Sequence, residues 1–132
     1  MLFKDAEHER FYKTNISKTG KNDVYYKALF YVLGLTAETQ NNINTLYDYD
    51  DNCIKHSGLH MGWQTNTSKK VTRLAFNLFN GTVHDSEEDF ESNKVSSRYA
   101  VDEIFCCGLA PFFWEAIKIR YPDYMSYNDI MC

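Results

Sequence analysis

The sequence predicts an all-α protein: a single compact domain of five or six short helices over residues 1–132. Three observations predict it. Apolar residues recur three and four positions apart through most of the chain, the spacing that keeps one face of a helix dry. No stretch of any length alternates apolar and polar residues as a half-buried strand does. Residues that start or stop helices punctuate the chain, among them Asp23, Thr36 and Pro111 as starts and Gly20, Gly34, Gly81, Gly108 and Pro122 as stops.

The first helix is read over Asp5 to Ile16. Asp5, Glu7 and Glu9 fall in its first turns, where carboxylates complement the helix dipole. Phe3, Phe11 and Tyr12 supply an apolar side, and residues 17–22 make a polar turn around Gly20. A second helix runs from about Asp23 to Leu33, capped by Asn22 or Asp23, with Tyr25, Leu29, Val32 and Leu33 in register and Gly34 as its stop. Thr36 caps a third helix that carries Ile43 and Leu46 and fades at Tyr47, with Leu35 as a hydrophobic staple before the cap.

Residues 47–67 are the least regular, and a short helical turn is expected near Asn52 to His56. From Ser68, read as an N-cap, the helical signal is strongest: Val71, Leu74, Ala75 and Leu78 form a stripe that ends at Asn80-Gly81. Residues 82–97 read as an acidic loop or a frayed helix. A fifth main helix spans Ser97 to Cys107 and stops at Gly108. Pro111 opens a sixth, which Pro122 ends just after Tyr121.

Composition narrows the class. An apolar share of 44% allows a packed core, and only 6 Gly and 2 Pro argue against a disordered or fibrous chain. A formal charge of −4 counts against a simple nucleic-acid binder. No apolar run approaches the ~18 residues of a membrane span. The N-terminus is charged almost at once and lacks the apolar core of a signal peptide, so a cytoplasmic location is expected. Cys53, Cys106, Cys107 and Cys132 form no Cys-x-x-Cys pair and read as free thiols in a reducing compartment.

Five groups of residues invite a chemical reading. Cys53, His56 and His60 have spacing suited to zinc, with Cys132 or His84 as a fourth ligand, but no second ligand pair accompanies them, and the favoured reading is a buried Cys and two surface His with no metal. Gln64, Thr65, Ser68, Arg73 and Asn77, with Trp63, gather hydroxyls, amides and a cation at a helix start, a set suited to an anion or phosphate. Arg73 and Asn77 share a helix face. The competing reading pairs Arg73 with a carboxylate, because no Gly-rich phosphate loop is present. Asp85, Glu87, Glu88, Asp89 and Glu91 put five acids in seven residues, either a solvated loop or a mimic of a nucleic-acid backbone. Glu103, Glu115, Asp102 and His8 are selected as acid or base by nothing in their spacing. Phe112-Phe113-Trp114 covers about 200° of a helix, so one ring must lie between helices, at the surface or in an interface, with Tyr121, Tyr124 and Tyr127 nearby.

Several blocks resemble an uncharacterised family of small proteins from Clostridia and related Firmicutes. They are Leu2-Phe3-Lys4 with Glu7-His8, Tyr26-Lys27-Ala28-Leu29, Gly62-Trp63-Gln64-Thr65, Thr72-Arg73-Leu74-Ala75-Phe76-Asn77-Leu78, Phe105-Cys106-Cys107 and Glu115-Ala116-Ile117-Lys118-Ile119-Arg120-Tyr121-Pro122. Members often sit on prophages and integrative conjugative elements. The resemblance brings no activity or catalytic residue; it implies a mobile-element setting, in which small proteins frequently counter host defence. The expectation is a non-enzymatic inhibitor of a host defence component, anti-CRISPR-like, acting in the host cytoplasm without a cofactor. Trp63 and Trp114 would anchor the partner, and Asp85, Glu87, Glu88, Asp89 and Glu91 would orient it. A homo-oligomer contact through the aromatics is a further expectation. The alternative is a nucleotide- or phosphate-binding protein or enzyme that uses Gln64, Thr65, Ser68, Arg73 and Asn77.

Overall fold

The computed structural model describes residues 1–92 and 94–125. In chain order it contains α1 (Ala6–Thr19), α2 (Val24–Leu33), α3 (Ala37–Asn41), α4 (Ile43–Leu46), β1 (Tyr47–Asp48), β2 (Cys53–Ile54), α5 (Asn66–Asn80), α6 (Glu87–Glu91), α7 (Val101–Ile104) and α8 (Ala110–Arg120). Single 3-10 turns cover His56–His60, Ser97–Tyr99 and Pro122–Tyr124. The mostly-α reading holds.

The core is assembled around α2. Six consecutive residues, Ala28 to Leu33, are fully buried, so the second half of this helix has no wet face. Helices α1, α5 and α8 all pack against it. Asp23 caps its start by accepting from the N–H groups of Tyr25 and Tyr26. Its far end is closed by α1: the buried His8 ring lies 2.6 Å from the Tyr31 carbonyl. Gly34 lets the two helices meet, since a Cβ there would stand 2.8 Å from His8 Cδ2 and 2.9 Å from Phe11 Cδ1. Phe30 meets Tyr47 edge-on, with ring centroids 5.1 Å apart.

α5 presents its stripe to α2 and α3, burying Val71, Leu74, Ala75 and Leu78 as its spacing predicts, and Phe76 as well. Its cap is Thr65 and not Ser68. Thr65 Oγ1 accepts from Ser68 N–H, while Ser68 Oγ accepts from Thr65 N–H, a reciprocal box that moves the start back by one turn. Gly81 closes the helix with φ 78°, a left-handed conformation that favours glycine.

Three further expectations need correction. The third helix splits at Asn42, whose side chain donates to the Glu38 carbonyl and whose own carbonyl accepts from Thr45, so short-range bonds replace the helical ladder. The helical turn expected at 52–56 is a small antiparallel hairpin that pairs Tyr47 with Ile54 and Asp48 with Cys53. Asp48 Oδ1 accepts from the N–H groups of Asp50 and Asp51, and Asn52 turns the chain at φ 52°. Strands of two residues are too short to show an alternating pattern. The fifth helix is broken at Ala100, which is extended, leaving a 3-10 turn and the four-residue α7.

Candidate functional site

α8 carries an unusual surface. Pro111 sets its first turn, and Phe113 and Ala116 are buried against the core. Phe112 is half-buried, while Trp114 is 52% exposed. This is the surface solution among those that three adjacent rings allow. The neighbouring Glu115 holds the N-terminus: its Oε2 accepts from Leu2 N–H at 2.9 Å, and its Oε1 lies 3.0 Å from Lys118 Nζ. Those contacts, the backbone bond first, hold the Glu115 carboxyl below the usual range despite partial burial. Leu2, itself exposed, is thus tied to the residue beside Trp114.

A second centre lies between α5 and the segment 82–86. Arg73 Nε is 3.2 Å from each Asp85 oxygen, and Nη2 is 3.0 Å from Oδ2. Their side chains are only 10% and 14% exposed. Burial pulls the Asp85 carboxyl upward, but Arg73, Tyr99 and Arg98 outweigh it and hold the group below the usual range. Asn77 Nδ2 donates to the Thr82 carbonyl, and His60 Nε2 donates to the Asp85 carbonyl. A cavity of about 480 Å³ opens beside this segment, lined by His56, Thr82, Val83, His84 and Ser86 among others.

The residues read from the sequence as a phosphate set are placed differently from one another. Thr65 and Ser68 form the cap. Gln64 accepts from Ser68 Oγ and donates to the Gly58 carbonyl and Thr72 Oγ1. Arg73 and Asn77 share a helix face, and both hold the 82–85 segment. Of the five, Arg73 lines a cavity of about 340 Å³ over the first turns of α5, where Lys69, Lys70 and Arg98 join it. The sequence reading missed those three cations. Asn66, Lys69, Lys70 and Arg73 follow the three-and-four spacing of one helix face, a signal that could have found them.

Among the residues read as partner contacts, Trp63 is half-buried and packed on the core, with its Nε1 buried and without an acceptor among the described residues. Asp85 is turned inward to Arg73. Glu88 and Glu91 are exposed on α6, with Asp89 partly covered; Glu87 opens that helix. Cys53 lies exposed on β2 and not buried as the sequence reading has it, because residue 53 faces outward where Ile54 faces the core, whereas His56 and His60 lean on the 82–85 segment. Among the described residues no three His, Cys, Asp or Glu side chains stand close enough to hold a metal. Cys132 and Tyr127 lie outside the described residues. Asp102 and Glu103 are exposed on α7, and His8 is sealed in the core, so these do not meet as an acid–base pair. Among the described residues no helix is long and apolar enough to cross a membrane.

A family model matches residues 1–131. The chain belongs to the family of unknown function DUF6075. Neither the comparison with curated proteins nor that with solved structures returns a match. DUF6075 membership therefore covers the whole architecture, and the chemistry has to be argued from side chains.

Proposed function

We propose that this protein is a non-enzymatic inhibitor that docks on a host defence protein, a CRISPR effector being the first candidate, on behalf of a phage or other mobile element. The observation that carries the docking reading is Trp114. It stands 52% exposed on a helix whose other flank is anchored in the core. An aromatic of this size on a packed helix contributes strongly to binding when a partner covers it. Glu88 and Glu91, also exposed, would orient a basic partner and speed encounter. The polar groups that a reaction centre would need are largely engaged: Gln64, Ser68 and Thr65 in a cap, Arg73 with Asp85, and His8 with Tyr31. The defence setting rests on the resemblance to proteins carried by prophages and conjugative elements.

The test is a plaque assay in bacteria with an active CRISPR system targeting the infecting phage. Expression of the protein should restore plaquing, and Trp114→Ala should weaken the purified complex by about tenfold or more, the scale of truncating an aromatic anchor. Unchanged plaquing across a panel of defence-bearing hosts would reject the reading. So would turnover of a small molecule by the purified chain.

A further inference from the structure

We propose that the cavity over the first turns of α5 is a binding site for a phosphate group, distinct from the protein-docking face. Asn66, Lys69, Lys70, Arg73, Arg98 and Glu103 line its roughly 340 Å³. Four of these six residues are cations, in a chain whose formal charge is −4. Their compensation is incomplete. Arg73 is neutralised by Asp85 at 3.0 Å, and Arg98 approaches the same carboxylate only at 3.8 Å. Lys70 Nζ meets the backbone carbonyl of Glu103 rather than its carboxylate. Lys69 Nζ has no carboxylate within ion-pair distance among the described residues.

Like charges gathered in a concave space repel one another, and an anion seated among them converts that repulsion into attraction. Two features add to this, the first for any anion and the second for phosphate over a simple halide. The site opens at the start of a fifteen-residue helix, whose positive end adds to the field. Arg73 is also fixed in orientation by its grip on Asp85, which leaves Nη1 as a planar donor without a protein partner among the described residues. The phosphate reading of the sequence is thereby moved from Gln64, Thr65, Ser68 and Asn77, whose polar groups are engaged, to the cations beside them. The opening to solvent suits the terminal phosphate of a small molecule whose remainder projects outward.

The experiment is an amide chemical-shift titration of the full chain with sodium phosphate, against sodium chloride at matched ionic strength. Saturable shifts at Asn66, Lys69, Lys70 and Arg98 with phosphate alone are expected. The Lys69→Ala/Arg98→Ala double variant removes two solvent-facing charges and should lose at least about tenfold in affinity, a factor equivalent to ~1.4 kcal/mol. The charge-conserving Lys69→Arg variant should keep the binding and serves as the comparison if the double variant does not fold. A parallel titration with adenosine 5′-monophosphate separates sources: tighter binding than phosphate assigns the site to a phosphomonoester, equal binding to the phosphate group itself. Shifts that chloride reproduces, or a Lys69→Glu variant that titrates like the wild type, would overturn the site. Loss of the plaquing effect in Trp114→Ala leaves it untouched, because Trp114 does not line this cavity.

Discussion

α2 and α8 look alike as sequence and differ in use. Both carry apolar residues around most of the helix: Val24 to Leu33 in one, Ala110 to Ile119 in the other. In α2 every residue from Ala28 to Leu33 is fully buried, with α1, α5 and α8 packed around it. In α8 only Phe113 and Ala116 are buried, and Trp114 stands in water. A lone exposed apolar residue is ordinary on a protein surface. Here, however, the exposed group is a tryptophan on a helix whose neighbouring Phe112 packs on the core, so α8 turns one large ring outward where α2 turns all of its second half inward. The apolar residues in the second half of α2 all serve the fold, whereas α8 gives Phe113 and Ala116 to it and leaves Trp114 outside.

The largest effect expected from this contrast is at Phe30. The ring is fully buried and meets Tyr47 edge-on. Phe30→Ala removes it from the centre of the molecule and should cost about 3–5 kcal/mol, read as a lowered urea midpoint. A loss under about 1 kcal/mol would mean that α2 is not the centre on which the other helices depend.

Gly34→Ala comes next. The added methyl would press on His8 and Phe11, both on α1, and on the Phe30 carbonyl at 3.2 Å. Overpacking of this kind costs about 1–3 kcal/mol, and thermal unfolding should show it. An unchanged midpoint would show that α1 can slide away from α2, weakening the picture of an enclosed central helix.

How far the sequence revealed this contrast depends on which signals are local. Asp23, Gly81, Pro111 and Pro122 set helix ends through bonds within a few residues, and their positions were legible. Ser68 was misread as a cap because Thr65 and Ser68 are both capping residues, and only geometry says which hydroxyl faces which N–H. The centrality of α2 was missed for another reason. Tyr25, Leu29, Val32 and Leu33 match a one-sided stripe, and the burial of Phe30 and Tyr31 depends on the packing of α1, α5 and α8 around α2, which no local pattern shows. The competing reading of Arg73, that it pairs with a carboxylate, follows from the lack of a Gly-rich phosphate loop; that the carboxylate is Asp85, taken out of the acidic cluster, does not. Lys69, Lys70 and Arg98 come together only because residues 97–99 fold back over α5.

A smaller effect joins α1 to α2 through pH. His8 Nδ1 accepts from Lys4 N–H at 3.0 Å, so Nε2 carries the proton and donates to the Tyr31 carbonyl, an orphan acceptor in the last turn of α2. Burial holds the imidazole below its ordinary value of 6.5, against the opposing pull of the Tyr31 carbonyl and Asp5. The unfolded chain therefore takes up the proton first. The contribution is fully present above 6.5 and is lost as pH falls from there toward the lower folded value. The urea midpoint should hold steady between about pH 7 and 8 and decline below about pH 6.5. His8→Gln keeps an amide near the Tyr31 carbonyl but cannot titrate, so it should flatten that decline. Equal slopes for the two proteins would remove His8 from the account.

The smallest stability effect is expected where the functional effect is largest. Trp114→Ala deletes a large ring, yet half of that ring is already in water and its helix is held by Phe113, Ala116 and the Glu115 tether. The change should move the urea midpoint by no more than about 0.5 kcal/mol, like other surface substitutions. The same deletion in α2, at Phe30, should unfold a large fraction of the molecules at moderate urea. If Trp114→Ala instead costs as much as a core residue, α8 is a second structural centre and its outward face is no docking surface. If stability stays level while binding to the partner falls, the surplus aromatic acts outside the fold, and the two helices differ in role although they read alike in sequence.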